Sequence, residues 1–242
     1  MSSFYFPSDD LYMNIARGLV RGTSHIHKFG AVDSLSVSTT GTVWDVDDTV
    51  YPWTAFATPG TIVLATNVAE NGKKVVIEGL DTNFDNLSEE VTISAGAATT
   101  SGTFARVFRA YVSEGATNTN DITLSRGGTT IAVIRADMGQ TLMAIYTIPN
   151  GHTGYMTHMT SSCQQNADGT GNMYIRYNTV GVTFRIAHTY EVAGTGGTHD
   201  YTFGVPLALP EKTDIDMQIG TRSNNGRFTS SFDIILIKNG LI

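Results

Sequence analysis

The apolar residues of this chain recur at a period of two. Phe184, Ile186, His188 and Tyr190 share one face of an extended segment, with Thr183, Arg185, Ala187 and Thr189 on the other. Ile215, Met217 and Ile219 likewise alternate with Asp216 and Gln218. Alternation of this kind sends successive side chains to opposite faces of a β-strand and does not suit a helix. Similar runs predict strands at 75–77, 91–93, 104–112, 122–124 and 131–135, then at 141–148, 155–160, 173–177, 183–190, 201–205, 215–219 and 232–237. Turn chemistry separates them: Asn71-Gly72 predicts a hairpin, and Asp81 to Ser88, Arg126-Gly127-Gly128 and Pro149-Asn150-Gly151 predict reversals. The chain holds 34 Thr and 25 Gly. Thr suits a pleated, half-solvated surface and Gly supplies tight turns. The expected fold is all-β, with two β-sandwich or jelly-roll-like lobes over 32–138 and 139–242.

Residues 1–31 break the pattern and read as an N-terminal arm. Ser8 is placed to cap a helix, Asp9 and Asp10 suit its positive end, and Leu11, Tyr12, Ile15 and Leu19 recur at helical spacing. Gly18 and Gly22 would end it. Phe4, Tyr5 and Phe6 lie outside it. A helix this short needs a surface to lie on. Phe4, Tyr5, Phe6, Leu11, Ile15 and Leu19 are therefore the expected anchors of the arm on a neighbouring subunit or a shell.

Charge excludes some roles. Only 15% of residues are charged, against about 25% in an average domain. The net charge is −7 and no basic run is present, which argues against coating nucleic acid. No apolar run approaches the ~18 residues of a membrane span, and the first residues lack the pattern of a signal peptide. A single cysteine, Cys163, excludes an intrachain disulfide framework. A cytoplasm-like compartment is expected.

Catalytic signatures are missing: there is no G-x-S-x-G, no P-loop lysine and no H-E-x-x-H. Gly194-Thr195-Gly196-Gly197 reads as a loop, and Cys163 as a half-buried thiol. His25 and His27 would share a face of a strand, but Lys28 lies beside them and no third ligand is near. Asp81, Asn83 and Asp85 imitate the start of a calcium loop, yet Asn86 stands where Gly is required and Thr92 where Glu is. Asp45, Asp47 and Asp48 read as a solvated turn. Trp44, Tyr51, Trp53 and Phe56 are read as lobe core or interface ahead of a sugar platform. No catalytic residue, metal or cofactor is expected. His25, His27, Phe29, Trp44 and Trp53 are the candidate interface residues.

The motifs in order carry a likeness: His27-Lys28-Phe29-Gly30, Trp44-Asp45, Gly79-Leu80-Asp81-Thr82-Asn83-Phe84, the strand from Phe104 to Ala110, Gln140 to Pro149 with Thr153-Gly154-Tyr155, Glu211 to Ile215, and Phe232 to Ile235. In this the chain resembles a family of tailed-phage virion structural proteins, over nearly its whole length. The resemblance implies a non-enzymatic exterior capsid decoration or cement subunit. It also implies a homotrimer that contacts the major capsid protein or other virion subunits, made in the host cytoplasm and housed in the virion. A tail, neck or fibre subunit is the alternative, and a host receptor or glycan binder the second.

Overall fold

Residues 11–114, 116–164, 167–177, 183–193, 196–222 and 226–241 are described by the computed structural model. The fold is all-β. Its longest strands are β1 (Thr23–Leu35), β11 (His152–Cys163), β14 (Thr198–Leu209) and β16 (Gly226–Lys238), which form one sheet in the order β1-β16-β11-β14. A second sheet runs β10 (Ile145–Thr147), β15 (Asp214–Thr221), β12 (Gly169–Arg176), β13 (Arg185–Val192), with β2 (Thr40–Thr42) also on β15. All pairings are antiparallel.

β2 and β10 lie end to end along one side of β15: Thr42 faces Gln218 and Ile145 faces Asp216. Between them the Val43 amide donates to the Met217 carbonyl (2.8 Å) and the Met217 amide to the Ala144 carbonyl (3.2 Å). They are one strand cut by an insertion. Counted so, the strands numbered along the chain stand as 1-8-3-6 in one sheet and 2-7-4-5 in the other, which is a jelly roll. Its core holds Met156, Met159, Met173, Ile215, Met217, Phe228, Phe232 and Ile234, all buried. Each such side chain contributes about 1.5–3 kcal/mol by leaving water.

The insertion is itself a β-domain. β3 (Val63–Ala65), β6 (Ala97–Thr99), β8 (Ile122–Arg126) and β9 (Thr129–Ile134) form a sheet ordered β6-β3-β8-β9, and β4 (Lys74–Leu80), β5 (Asn86–Thr92) and β7 (Arg106–Val112) one ordered β5-β4-β7. A second core fills it, with Ile62, Leu64, Val75, Ile77, Phe104, Ile122 and Leu124 beside Trp44, Tyr51, Trp53 and Phe56. The polypeptide leaves and returns at one point, where the Ala144 amide donates to the Val43 carbonyl (2.9 Å). Gly30 of β1 lies beneath that point. A Cβ there would stand 2.2 Å from the Val43 oxygen and 2.3 Å from the Ala144 nitrogen, so only glycine fits.

Three expectations differ from what is found. The boundary expected at residue 31 falls inside β1, whose register from Thr23↔Ile237 to Leu35↔Gly226 ties residues 23–35 to the C-terminal sheet. Asn71-Gly72 does not join two strands. Asn71 (φ −57°, ψ 139°) and Gly72 (φ +85°) form a type II turn, closed by the Lys73 amide on the Glu70 carbonyl (3.1 Å), between a 3-10 turn over Val68–Glu70 and β4. The alternation at 184–190 is broken by a bulge: Met173 pairs with His188 but Tyr174 pairs with Ile186, leaving Ala187 over. Ile186 is thereby turned outward.

Of the arm, α1 (Leu11–Ala16) packs against β1. Gly18, at φ +69°, ends it, its amide on the Ile15 carbonyl (2.9 Å). Ser8, Asp9 and Asp10 lie outside the described residues, as do Phe4, Tyr5 and Phe6. No helix among the described residues is long and apolar enough to cross a membrane.

Candidate functional site

Three places concentrate polar or aromatic side chains. The first joins the two domains. Asp214 and Asp216 sit on the face of β15 opposite Ile215 and Met217, where a sequence reading expects solvent. The inserted domain covers that face, and both carboxylates are fully buried. Asp214 accepts from Arg106 Nε and Nη2 (2.9 and 3.1 Å), from Arg176 Nε and Nη2 (3.0 and 2.6 Å), and from Thr147 Oγ1 (2.7 Å). Asp216 accepts from Trp53 Nε1 (2.9 Å), Thr42 Oγ1 (2.8 Å) and Gln218 Nε2 (2.9 Å). Burial pushes the Asp216 carboxyl up from the ordinary range, and these donors pull it back. Both guanidinium groups stack near the Trp53 ring, at 5.6 and 5.7 Å, and Arg176 covers Phe184 at 4.5 Å.

The second place is the outer face of the β1-β16-β11-β14 sheet. His25 Nε2 and His27 Nδ1 both meet Asp233 Oδ1, at 3.0 and 2.7 Å. His158 Nδ1 lies 3.5 Å from Asp233 Oδ2, and its Nε2 is 2.5 Å from Asp200. Burial would raise the Asp233 carboxyl, but hydrogen bonds and charge from His27 and His25 hold it below the usual carboxylate range. Among the described residues no three His, Cys, Asp or Glu side chains are grouped so as to hold a metal ion. In the calcium-like stretch, Asp81 Oδ1 is spent on its own turn, accepting from the amides of Asn83 (2.7 Å) and Asp85 (3.0 Å).

The third place is the margin where β13 and β14, an edge strand of each jelly-roll sheet, approach. Five rings meet there. His188 lies 4.4 Å from Tyr201 and 5.4 Å from His199, Tyr190 lies 5.4 Å from His199, and Tyr201 lies 4.9 Å from Phe203. Burial first, and the neighbouring His199 second, push His188 below the usual imidazole range. Opposite, β14 bulges: Met156 pairs with Leu207 and His158 with Thr202, so Phe203 to Pro206 arch away. Val205 at the arch is 85% exposed and Ile186 on β13 is 55% exposed. Pro206 brings no N–H to this edge, which blunts indiscriminate strand pairing.

The candidate interface residues divide. His25, His27 and Phe29 lie at the surface of β1. Trp44 and Trp53 do not: both are buried in the chain's own inserted domain, with the Trp44 indole on the Thr49 carbonyl (3.1 Å) and the Trp53 indole on Asp216. Their rings fill the junction rather than a face open to another subunit. In the arm, Leu11 and Leu19 are exposed and Ile15 is buried. Cys163 is buried, its thiol donating to the Ala167 carbonyl (3.1 Å). The ring-lined margin was not anticipated. Its sequence signal was His199, Tyr201 and Phe203 at i, i+2, i+4.

No family model matches the chain, and no curated protein matches it. Among solved structures, one of infectious bursal disease virus strain Gx is 9% identical, aligned over 91% of this chain and 73% of that chain with a TM-score of 0.27. The VP2 subviral particle of the same virus gives 9% identity, the same coverage and a TM-score of 0.24. A secreted protein of Parabacteroides distasonis gives 12% identity, 91% coverage of each chain and a TM-score of 0.20. Likenesses at these scores carry no argument about function.

Proposed function

We propose that this chain is a non-enzymatic structural subunit of a virion, an exterior decoration or cement protein that acts by packing against copies of itself and against the shell. The observation that carries the reading is the β13–β14 margin. There, Ile186 on β13 and Val205 on β14 are exposed, and the rings of Tyr201 and Phe203 meet on β14. Apolar groups presented together on a β edge gain by being covered by a partner. The jelly roll is an architecture that viral capsid domains share with lectins and cupins, so fold alone does not assign the role. The sequence resemblance to tailed-phage virion proteins supplies the rest.

The partners under this reading are a second and third copy of the chain, closed into a cyclic trimer, and the major capsid protein or another virion subunit. The arm, with Leu11 and Leu19 outward, joins the subunit to the shell. The chain is made in the host cytoplasm and ends in the virion. Multi-angle light scattering tests the self-association. The wild type is expected as a trimer at micromolar concentration. Ile186→Lys with Val205→Asp is expected as a monomer that still melts cooperatively. A wild type that is monomeric, or a variant that still assembles, overturns the reading.

A further inference from the structure

A cavity of about 520 Å³ opens where β1 faces the β5-β4-β7 sheet of the inserted domain. That size and its place between two domains suit a small-molecule site. Lys28 and Phe29 of β1, Glu78 of β4, Phe108 and Arg109 of β7, and Tyr146 of β10 contribute to its wall.

Two polar groups in this wall are almost withdrawn from water and little used. Lys28 is 9% exposed. Its ammonium gives one hydrogen bond, to the Phe108 carbonyl (2.5 Å), and lies 5.6 Å from the Phe108 ring centre. An ammonium carries three donors, and Lys28 makes no ion pair among the described residues. Tyr146 is 3% exposed, its ring 4.8 Å from that of Phe108, and its hydroxyl has no hydrogen-bond partner among the described residues.

The nearby carboxylates are already matched. Glu78 pairs with Arg109 at 3.5 Å, and Asp233 is held by His25 and His27. Lys28 forms no ion pair among the described residues, and Glu78 reaches it only through its charge. Burial first, and the Arg109 charge second, bring it down to about 7, with Glu78 pulling the other way. A structural lysine would be expected either to reach water or to pair. A buried lysine with no ion pair, beside a phenol that makes no hydrogen bond and an open cavity, is complementary to an anion.

We propose that this cleft binds a small organic carboxylate, with Lys28 and Tyr146 donating to its oxygens and Phe108 covering its body. Binding favours the ammonium form of Lys28, so it takes up protons near neutral pH and weakens as the medium becomes alkaline. The charged groups that act on Lys28 in setting this dependence are Arg109 and Glu78, and Tyr146, His25 and His27 are the other titratable groups on the cavity wall. The inference does not rest on the virion role, and either can fail without the other.

Calorimetric titration of the full chain tests it, with benzoate and D-glucuronate as probes and benzamide and D-glucose as their neutral counterparts. Saturable binding is expected for at least one acid and not for its neutral counterpart. Which acid responds tells an aromatic from a sugar body. Lys28→Met is expected to weaken binding about tenfold or more, and Tyr146→Phe several-fold, because charge-assisted hydrogen bonds are lost. Thermal melts accompany both variants, and Tyr146→Phe keeps the packed ring if Lys28→Met disturbs the fold. No saturation by either acid, equal binding of the neutral counterparts, or binding unchanged by the variants would overturn the proposal.

Discussion

Replacing Asp214 by alanine should loosen the joint between the two domains more than any surface change. Its carboxylate accepts from Arg106, Arg176 and Thr147, and Arg106 is only 5% exposed. The substitution would leave two guanidinium groups without their counter-charge beneath the Trp53 ring. Breaking a buried ion pair from one side costs about 3–5 kcal/mol, since the orphaned charge stays out of water. That is a large part of a typical stability of about 5–15 kcal/mol. In a chain of this size it lowers the melting temperature by roughly 6–20 °C. Both tryptophans lie in the inserted domain, Trp53 on the joint itself, so urea unfolding followed by fluorescence reads this region while circular dichroism reads both domains. The triple change Arg106→Met, Asp214→Leu, Arg176→Met removes the charges together and should recover most of the loss. The loss should also persist at high salt, which screens buried pairs little. An Asp214→Ala protein within about 0.5 kcal/mol of wild type, or a triple variant weaker than the single one, would refute the reasoning.

Asp45 gives a pH signature. Burial pushes its carboxyl up to about 8, against pulls from the Leu142 amide and Arg135. Between the ordinary carboxylate range and about pH 8 the folded chain therefore keeps a proton that the unfolded chain has lost. Stability is then lost as pH rises through that window, by up to about 1.4 kcal/mol per pH unit. Melting curves of Asp45→Asn should be flatter across the window than wild type, and identical profiles would count against the assignment. Deleting residues 1–22 removes α1 and the burial of Ile15, worth at most about 3 kcal/mol. The truncated chain should fold, with a melt lowered by several degrees, yet fail to join particles assembled from the other virion subunits. Undiminished incorporation would move the attachment to the β-domains.

Strand positions were legible because alternation is a local property. Ile215, Met217 and Ile219 are buried as their spacing demands. What alternation cannot say is what lies across the sheet. Asp216 reads as a solvent-facing residue, and only the placement of the inserted domain over β15 makes it a buried acceptor. A one-residue bulge at Ala187 was equally invisible, and it reverses the face assigned to Ile186. β1 was missed for another reason. His25, His27 and Lys28 give no apolar stripe, and the partner that makes the strand is β16. The cluster of Trp44, Tyr51, Trp53 and Phe56 was correctly seen as aromatic mass. Whether it faced inward or toward another subunit was a tertiary fact. In the cleft, the signal was Lys28 itself, a cation in a strand whose burial no spacing rule foretells.

The single cut in the jelly roll also sets an order of events. β1 is synthesised well before its register partner β16, which lies about two hundred residues further on. The inserted domain has a core of its own and short-range hairpins at β4–β5 and β8–β9, so it can close while the rest is still being made. Meanwhile β1 and β2 wait as open edges, held to that domain through Val43 and Ala144 and through the Asp33, Ser34 and Ser36 amides on Asp47 and Asp48. Completion depends on β16 sliding between β1 and β11. The slow, aggregation-exposed interval is therefore the one before β16 docks. Changes in β16 that scarcely alter the finished protein should then still cut the yield of soluble chain.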